Sequence, residues 1–161
     1  MLPGLVLLAL LTATEVLESG AYRAITLSQG ERRTFRVPEL EKVTAGTGKC
    51  VEEGMQRDEA ESLSVEARCS GVRTTVAWRR DGSRVQLMVC AEESAAPELV
   101  TLRKAMQAEL RALRGVTACV RNGRVELWGW ARSEEELQRM RGLERKYPEQ
   151  VRSFVELIEG P

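Results

Sequence analysis

The sequence of 161 residues contains no histidine and few aromatic residues, and its charges cancel. Without histidine it lacks the usual general base near neutral pH, the commonest metal ligand and any Ser–His or Cys–His catalytic pair. Basic and acidic residues both number 24, so no net charge attracts nucleic acid or an anionic membrane. We therefore expect a binding protein, not an enzyme, with no metal, no cofactor and no nucleic-acid partner.

The four cysteines, Cys50, Cys69, Cys90 and Cys119, have no CxxC spacing, which argues against a zinc ribbon or a thioredoxin-like motif. In an exported chain an even count predicts two disulfides, which small domains use to supplement a small core. A Cys50–Cys69 bond would close a loop inside one unit, and a Cys90–Cys119 bond would join two units. The sequence does not choose among the three possible pairings, and in the cytosol all four would be buried thiols.

A short apolar run opens the chain, and it is too short to span a bilayer. It extends from Leu2 to Ala13 and has the length of the central region of a secretory signal. Ser19-Gly20-Ala21 supplies small residues for cleavage, although no basic residue precedes the run. A buried N-terminal helix is the alternative, which the early proline and glycine oppose. We predict a signal peptide over residues 1–21 and a periplasmic location.

Residues 22–92 contain short β-rich runs separated by turn signals, which predicts a small all-β sandwich or barrel. In "TTVAWRRDGSRVQLMVC", Asp81-Gly82 lies between two such runs and predicts a hairpin. Val85, Leu87 and Val89 alternate with other residues, so one face of the second strand is expected to be buried.

Residues 93–98 form a predicted linker, and a second unit follows over residues 99–159. Pro97 suits the first turn of a helix, with Ser94 as a candidate cap, and Gly115 is the expected end. The helix is expected to pack on its own sheet through an apolar stripe at spacings of three and four. The stripe consists of Leu99, Leu102, Met106, Leu110 and Leu113.

The stretch "VTACVRNGRVELWGWARSEEEL", residues 116–137, predicts a hairpin that leads into a second helix. Asn122-Gly123 is a strong hairpin signal because both central positions of a type I′ turn need positive φ. Ser133 and Glu136 form a capping box. A last strand is predicted in "QVRSFVELIEG", so the order helix, strand, strand, helix, strand (αββαβ) indicates an α+β unit with one small sheet.

Trp128 and Trp130 share one face of the returning strand, opposite Val125 and Leu127. If the helices cover the face of Val125 and Leu127, the two tryptophans are exposed and are candidate contacts for a partner. The alternative is that they lie at the junction between the two units. The sequence weighs the two arrangements about equally, with a slight preference for the junction.

The second unit resembles a BON domain over about 60 residues. The resemblance depends on a "GV" step after the first helix, on a central "nGxVxLxG" motif and on the final strand. The matching residues are Arg114, Gly115, Val116, Asn122, Gly123, Val125, Leu127, Gly129, Ser133, Val151 and Val155. The departures are Trp130, where the family has a small aliphatic residue, and Ser153-Phe154, where it often has a small residue and Asn.

The first unit resembles the N-terminal domain of pilus-type secretins, the outer-membrane rings of tight-adherence pilus and type II-like secretion systems. The matches are spread over three segments of the unit. They are Ile25, Leu27, Gly30, Phe35 and Val37, then Val43 and Gly46, then Leu63, Val65, Gly71, Thr74, Thr75, Val76, Trp78, Asp81 and Gly82.

In such secretins this N-terminal domain precedes a BON domain and then the long ring-forming domain. No ring-forming part precedes the end at Gly160-Pro161, so the resemblance implies an accessory or truncated periplasmic subunit of pilus or type II-like secretion-system assembly. The expected partner is an envelope protein such as a secretin ring or a pilus-assembly subunit, docked on strand edges and the hairpin. The BON resemblance alone implies instead an envelope protein that associates with phospholipid under stress, which the balanced charge disfavours.

Overall fold

The computed structural model describes residues 14–58 and 60–158, and its secondary structure is mostly β. The run from Leu2 to Ala13 in the predicted leader lies outside the described residues. The strands of the first unit are β1 Glu15–Val16, β2 Tyr22–Leu27, β3 Arg32–Arg36, β4 Leu40–Ala45, β5 Val51–Gln56, β6 Ser62–Ala67, β7 Gly71–Arg79 and β8 Arg84–Ala91. The elements of the second unit are α1 Pro97–Glu109, β9 Val116–Arg121, β10 Arg124–Ala131, α2 Glu134–Lys146, β11 Val151–Ser153 and β12 Glu156–Leu157.

The first unit is a sandwich of two four-stranded sheets, with strand orders β1-β3-β6-β5 and β2-β8-β7-β4. Alternate residues of both sheets point inward and form one core, in which Phe35 and Leu63 of the first sheet meet Ile25 and Leu87 of the second. The expected β-rich first unit is confirmed. Val85, Leu87 and Val89 are fully buried, as the alternation predicts.

The hairpin between β7 and β8 is closed by the side chain of Asp81. Its carboxylate accepts hydrogen bonds from the Ser83 N–H at 2.8 Å and from the Ser83 hydroxyl at 2.6 Å. These bonds favour the charged form and lower the pKa of Asp81 below its ordinary value. Gly82 takes φ +85°, a conformation that glycine adopts without steric cost.

The first unit includes Glu15–Val16 and Leu17, which lie before the predicted boundary at residue 22. β1 pairs in parallel with β3, and Leu17 is buried in the sandwich core with 3% exposure. Glu15 forms a two-pronged ion pair with Arg23 of β2, at 2.8 and 3.1 Å. Cleavage at Ser19-Gly20-Ala21 would therefore remove a strand and a core side chain from the folded unit.

The second unit has one small sheet, in which β9 pairs antiparallel with β10 and both β11 and β12 pair parallel with β10 on its other side. The last strand is thus interrupted between Ser153 and Glu156, where the sequence predicted a single run. Asn122 and Gly123 have φ of +54° and +70°, as the type I′ turn requires. No helix in the described part of the chain is long and apolar enough to cross a membrane.

The two helices cover one face of this sheet and share its core. Met106 and Leu110 of the predicted stripe are buried there, with Leu99, Leu102 and Leu113 packed around them. α1 begins at Pro97 as expected, but the prediction of Ser94 as its cap is wrong. The N-cap is Ala96, whose side chain makes no capping bond, and Pro97 needs none because it has no N–H. The helix also ends at Glu109, short of Gly115, with Leu110 as its C-cap.

The capping box of α2 forms as predicted at one of its two bonds. The Ser133 hydroxyl accepts the N–H of Glu136 at 3.2 Å. The Glu136 carboxylate reaches back one residue further than the standard box and accepts the N–H of Arg132 at 2.7 Å. Three glutamates in the first turn also favour the helix dipole.

We predict that Glu15→Gln destabilises the chain at neutral pH and not at acidic pH. Burial acts to raise the pKa of Glu15, but the hydrogen bond from Arg23 and the attraction of Arg23, Arg114 and Arg33 outweigh it, and the net pKa is lowered. Because the folded pKa is depressed, the stabilisation is present above the ordinary glutamate pKa and disappears as the pH falls through the folded value.

Urea unfolding of wild type and Glu15→Gln, at neutral pH and at pH values below the ordinary glutamate pKa, measures the effect. Glu18→Gln is the matched control, since Glu18 is an exposed glutamate three residues away. A difference in unfolding free energy that does not change with pH would contradict the prediction.

Candidate functional site

Two disulfides are present, one in the first unit and one between the units. Cys50 bonds to Cys69 in the β sandwich, and Cys90 of β8 bonds to Cys119 of β9. Cys90 and Cys119 are fully buried, whereas Cys50 and Cys69 are half-buried. The structure therefore realises one of the three pairings that the sequence allowed. Two disulfides are typical of proteins outside the reducing cytosol.

The disulfide between the units lies in a junction that also contains direct hydrogen bonds. The Thr26 hydroxyl of β2 donates to the carbonyl oxygen of Ala118 at 2.7 Å, and it lies 2.6 Å from the Thr117 hydroxyl. The N–H of Ala24 donates to the carbonyl oxygen of Arg114 at 2.9 Å. The second unit therefore covers part of the outer edge of β2, which would otherwise be a free sheet edge.

The last residue of the predicted first unit, Glu92, and the first residue of the predicted linker, Glu93, are both hydrogen-bonded to the second unit. Glu92 accepts the N–H of Val120 and pairs with Arg103 of α1, both at 3.2 Å. The N–H of Glu93 donates to the carbonyl oxygen of Val120 at 3.0 Å, and its carboxylate accepts the N–H of Gly123 at 3.1 Å. With these bonds the two units are held in a fixed relative orientation.

Glu126 of β10 is a buried carboxylate, with 1% exposure, on the sheet face opposite the helices. It accepts hydrogen bonds from Arg121 at 3.1 Å, Asn122 at 3.2 Å and the indole N–H of Trp128 at 3.0 Å, and Arg124 lies 3.5 Å away. Four donors around one carboxylate compensate its loss of water. This cluster fixes the hairpin and orients Trp128. Sequence reasoning missed this cluster. A visible signal was a glutamate in the middle of a strand, between Val125 and Leu127 and close to two arginines.

The structure separates the two candidate tryptophans. Trp130 is half-buried and packs edge-on against Tyr22 of the first unit, with ring centroids 5.2 Å apart. Trp128 is also half-buried, but it stacks on Phe154 of its own unit at 4.5 Å. Trp130 thus lies at the junction, which the sequence slightly favoured. A partner contact at Trp128 stays a prediction.

Gly115 and Gly129, two of the residues behind the BON resemblance, have a direct structural reason. The N–H of Trp130 donates to the carbonyl oxygen of Gly115 at 2.7 Å, so the two backbone segments cross in close contact. A Cβ at Gly129 would lie 1.9 Å from that oxygen, and Gly129 also has φ +129°. A Cβ at Gly115 would lie 2.8 Å from the carbonyl oxygen of Trp130. No side chain fits at either position.

Three large hydrophobic residues are exposed in the described part of the chain, and each lies on an edge strand. Val16 of β1 is 44% exposed, Met55 of β5 is 41% exposed and Leu157 of β12 is 37% exposed. β1 and β5 are the two ends of the first sheet, and β12 lies at one end of the third. An edge strand presents unpaired backbone groups, and apolar side chains beside them suit the addition of a partner strand.

Trp78, a third tryptophan, marks a surface that sequence reasoning did not single out. It lies on the outer face of the second sheet, with Lys42 at 5.3 Å and Arg84 at 5.8 Å from its ring centroid. Its indole N–H donates to the Thr44 hydroxyl at 3.1 Å. Lys42 and Arg84 are the cross-strand neighbours of Trp78 on β4 and β8, and their cationic groups contact its ring.

No protein-family model matches this chain, and no curated protein is similar enough in sequence to count as a relative. Among the described residues, no group of cysteine, aspartate or glutamate side chains is arranged to hold a metal ion. What the geometry offers is a fixed two-unit body with free sheet edges, a polar junction and half-buried aromatic rings.

We predict that mild reductant opens the Cys50–Cys69 disulfide before the Cys90–Cys119 disulfide. An attacking thiolate must reach a sulfur atom, and the second pair is fully buried. Limited reduction of the native chain, alkylation and peptide mapping would measure the two rates. In denaturant the rates should become comparable, and equal rates in the native chain would contradict the prediction.

We also predict that Glu126→Ala lowers the free energy of unfolding by about 3 kcal/mol. The substitution leaves Arg121 and Arg124 together without a counter-charge and removes the acceptor of three hydrogen bonds. Glu149→Ala is the control, because Glu149 is exposed, and it should change stability by less than about 0.5 kcal/mol. Equal effects of the two substitutions in denaturant unfolding would show that the cluster is not stabilising.

Proposed function

We propose that this chain is a non-enzymatic periplasmic scaffold that acts through protein–protein contacts, as an accessory component of pilus or type II-like secretion-system assembly. The observation that carries the proposal is the exposure of Met55 on β5, an edge strand of six residues. Val16 and Leu157 are also exposed on edge strands, but β1 and β12 have only two residues each. Edge strands that do not bind another chain are usually protected from strand pairing, because they are short, charged or covered. Apolar side chains on such edges favour a partner strand that adds to the sheet.

The junction supports a scaffold role for a second reason. The Cys90–Cys119 disulfide and the bonds of Thr26, Glu92 and Glu93 hold the two units as one body. A body of fixed shape presents its edges at fixed distances, so a partner that contacts two edges loses less entropy on binding. This is the property that an adaptor between larger subunits needs.

Two further observations support the compartment and the system. Both disulfides suit an oxidising compartment such as the periplasm. The order of the two units follows that of pilus-type secretins, in which a β-rich N-terminal domain precedes a BON domain. In the second unit, Gly115 and Gly129, two of the positions that match the BON pattern, lie where the backbone segments cross too closely for a side chain.

The test is site-specific photo-crosslinking of a tagged full-length chain in the envelope of its own host. A photoreactive side chain replaces Met55 or Leu157 on the edge strands, and Gln138, an exposed residue of α2, serves as the control position. We expect an adduct with a secretin or pilus-assembly subunit from the edge positions and not from Gln138.

The competing function, association with phospholipid, predicts different outcomes for crosslinking and for sedimentation with vesicles. A chain that crosslinks to no protein from any position, and that sediments with anionic vesicles, would replace the scaffold proposal with the phospholipid one. Adducts of equal yield from Gln138 would refute docking on the edges.

A further inference from the structure

A cavity of about 320 Å³ lies where the two units meet, and both units line it. A volume of this size is at the lower end of small-ligand sites. The polar side chains of its wall that matter here are Ser28, Glu31, Arg33, Glu92, Arg103 and Gln107. Because the walls come from different units, the cavity exists only while the junction is closed.

One wall of the cavity is the outer edge of β2. The N–H of Gln86 donates to the carbonyl oxygen of Ala21, and the N–H of Glu92 donates to that of Leu27, so the odd-numbered residues of β2 pair with β8. The peptide groups of even-numbered residues face the other way. That of Ala24 is bonded to the second unit, whereas no described residue hydrogen-bonds to the N–H or C=O of Thr26. Thr26 therefore offers one backbone donor and one acceptor at the cavity.

Gln107 of α1 contributes a donor whose orientation is fixed. Its Oε1 accepts the N–H of Ala118 at 3.0 Å and lies 3.3 Å from the Thr117 hydroxyl. A backbone N–H only donates, so the oxygen of the amide must face Ala118 and the Nε2 group must face away from it. No described residue accepts a hydrogen bond from Nε2, and Gln107 lines the cavity.

Two guanidinium groups add further donors. Arg33 is exposed and has no ion pair with any described residue, while Arg103 uses one nitrogen on Glu92 at 3.2 Å. The acidic side chains of the wall already have partners, because Glu92 also accepts the N–H of Val120 and Glu31 accepts the N–H of Ser28. The free hydrogen-bonding capacity of the cavity is therefore mostly that of donors, two of which are cationic.

We infer that the junction cavity binds an extended segment of a protein partner that carries an aspartate or glutamate. The carboxylate accepts hydrogen bonds from Arg33, Arg103 and the Gln107 amide, and the peptide backbone beside it pairs with Thr26. Charge-assisted bonds to a planar guanidinium select a carboxylate over a neutral amide. The inference rests on the proposed function and names the chemistry of the partner.

The test is an NMR titration of the ¹⁵N-labelled, oxidised full-length chain with acetyl-Ala-Glu-Ala-amide, and with the corresponding glutamine peptide. We expect the glutamate peptide to shift the resonances of the Thr26 N–H and the Gln107 side-chain amide at millimolar concentration, and the glutamine peptide to bind about tenfold more weakly. Equal binding of the two peptides, or no shift at either group, would overturn the inference.

Gln107→Glu is the sharpest variant, because it keeps an oxygen for the N–H of Ala118 and places a carboxylate oxygen where the free donor was. It should weaken binding of the glutamate peptide about tenfold or more. Gln138→Glu makes the same charge change at an exposed position of α2 and should leave binding unchanged. A second pair is Arg33→Gln with Arg111→Gln, another exposed arginine, as its control. Equal losses in variant and control would attribute the effect to net charge and refute the site.

Inorganic phosphate is the third probe, since guanidinium groups also bind phosphate. Binding of phosphate that shifts the Gln107 amide, with no response of Thr26 to either peptide, would identify a simple anion site and overturn the peptide inference. Photo-crosslinking in the host distinguishes a failure of the cavity inference from a failure of the proposed function. Edge-strand adducts that persist in Gln107→Glu together with a failed peptide titration refute the cavity alone, whereas peptide binding without any adduct in the host refutes the scaffold.

Discussion

The contact between β2 of the sandwich and β9 of the α+β unit is the constraint on which the rest of the structure depends. The Thr26 hydroxyl bonds to the carbonyl oxygen of Ala118, and the buried Cys90–Cys119 disulfide adds a covalent link from β8 to β9. Each unit by itself is small and would leave a sheet edge open. The second unit covers the edge of β2 except at the peptide groups of Thr26. Within the described part of the chain, no strand pairs with the outer edges of β1, β4 and β5 or of the β11–β12 side.

A fixed junction also decides what the molecule presents to a partner. The cavity that Arg33, Arg103 and Gln107 line belongs to neither unit alone, and Trp130 is half-buried because Tyr22 packs against it across the junction. Trp128 is instead oriented within its own unit, by Phe154 and by the buried Glu126. The surface available for binding is thus set by packing between units as much as by the composition of either.

Local features of the fold were predictable because neighbouring residues determine them. The turn at Asn122-Gly123 needs two positive φ values, the start of α2 needs the Ser133 hydroxyl, and the stripe on α1 needs an apolar side chain every three or four residues. The features that were missed involve partners far along the chain. Leu17 joins a core formed mainly by residues beyond it, so a leader-like composition concealed its role, and the Glu126 cluster depends on which sheet face is covered.

The sequence by itself determined a β-rich first unit and a second unit of helices and a hairpin. It also determined that four cysteines are available for two disulfides and that no histidine-based chemistry is possible. Spacing and side-chain type are sufficient for these, because periodicity and turn preference act over a few residues. Only the tertiary structure decided which cysteines pair, where β1 adds to the sandwich, and that Trp130 and Trp128 have different environments. Those outcomes depend on contacts between residues as far apart in the sequence as Tyr22 and Trp130, and no local pattern encodes such a contact.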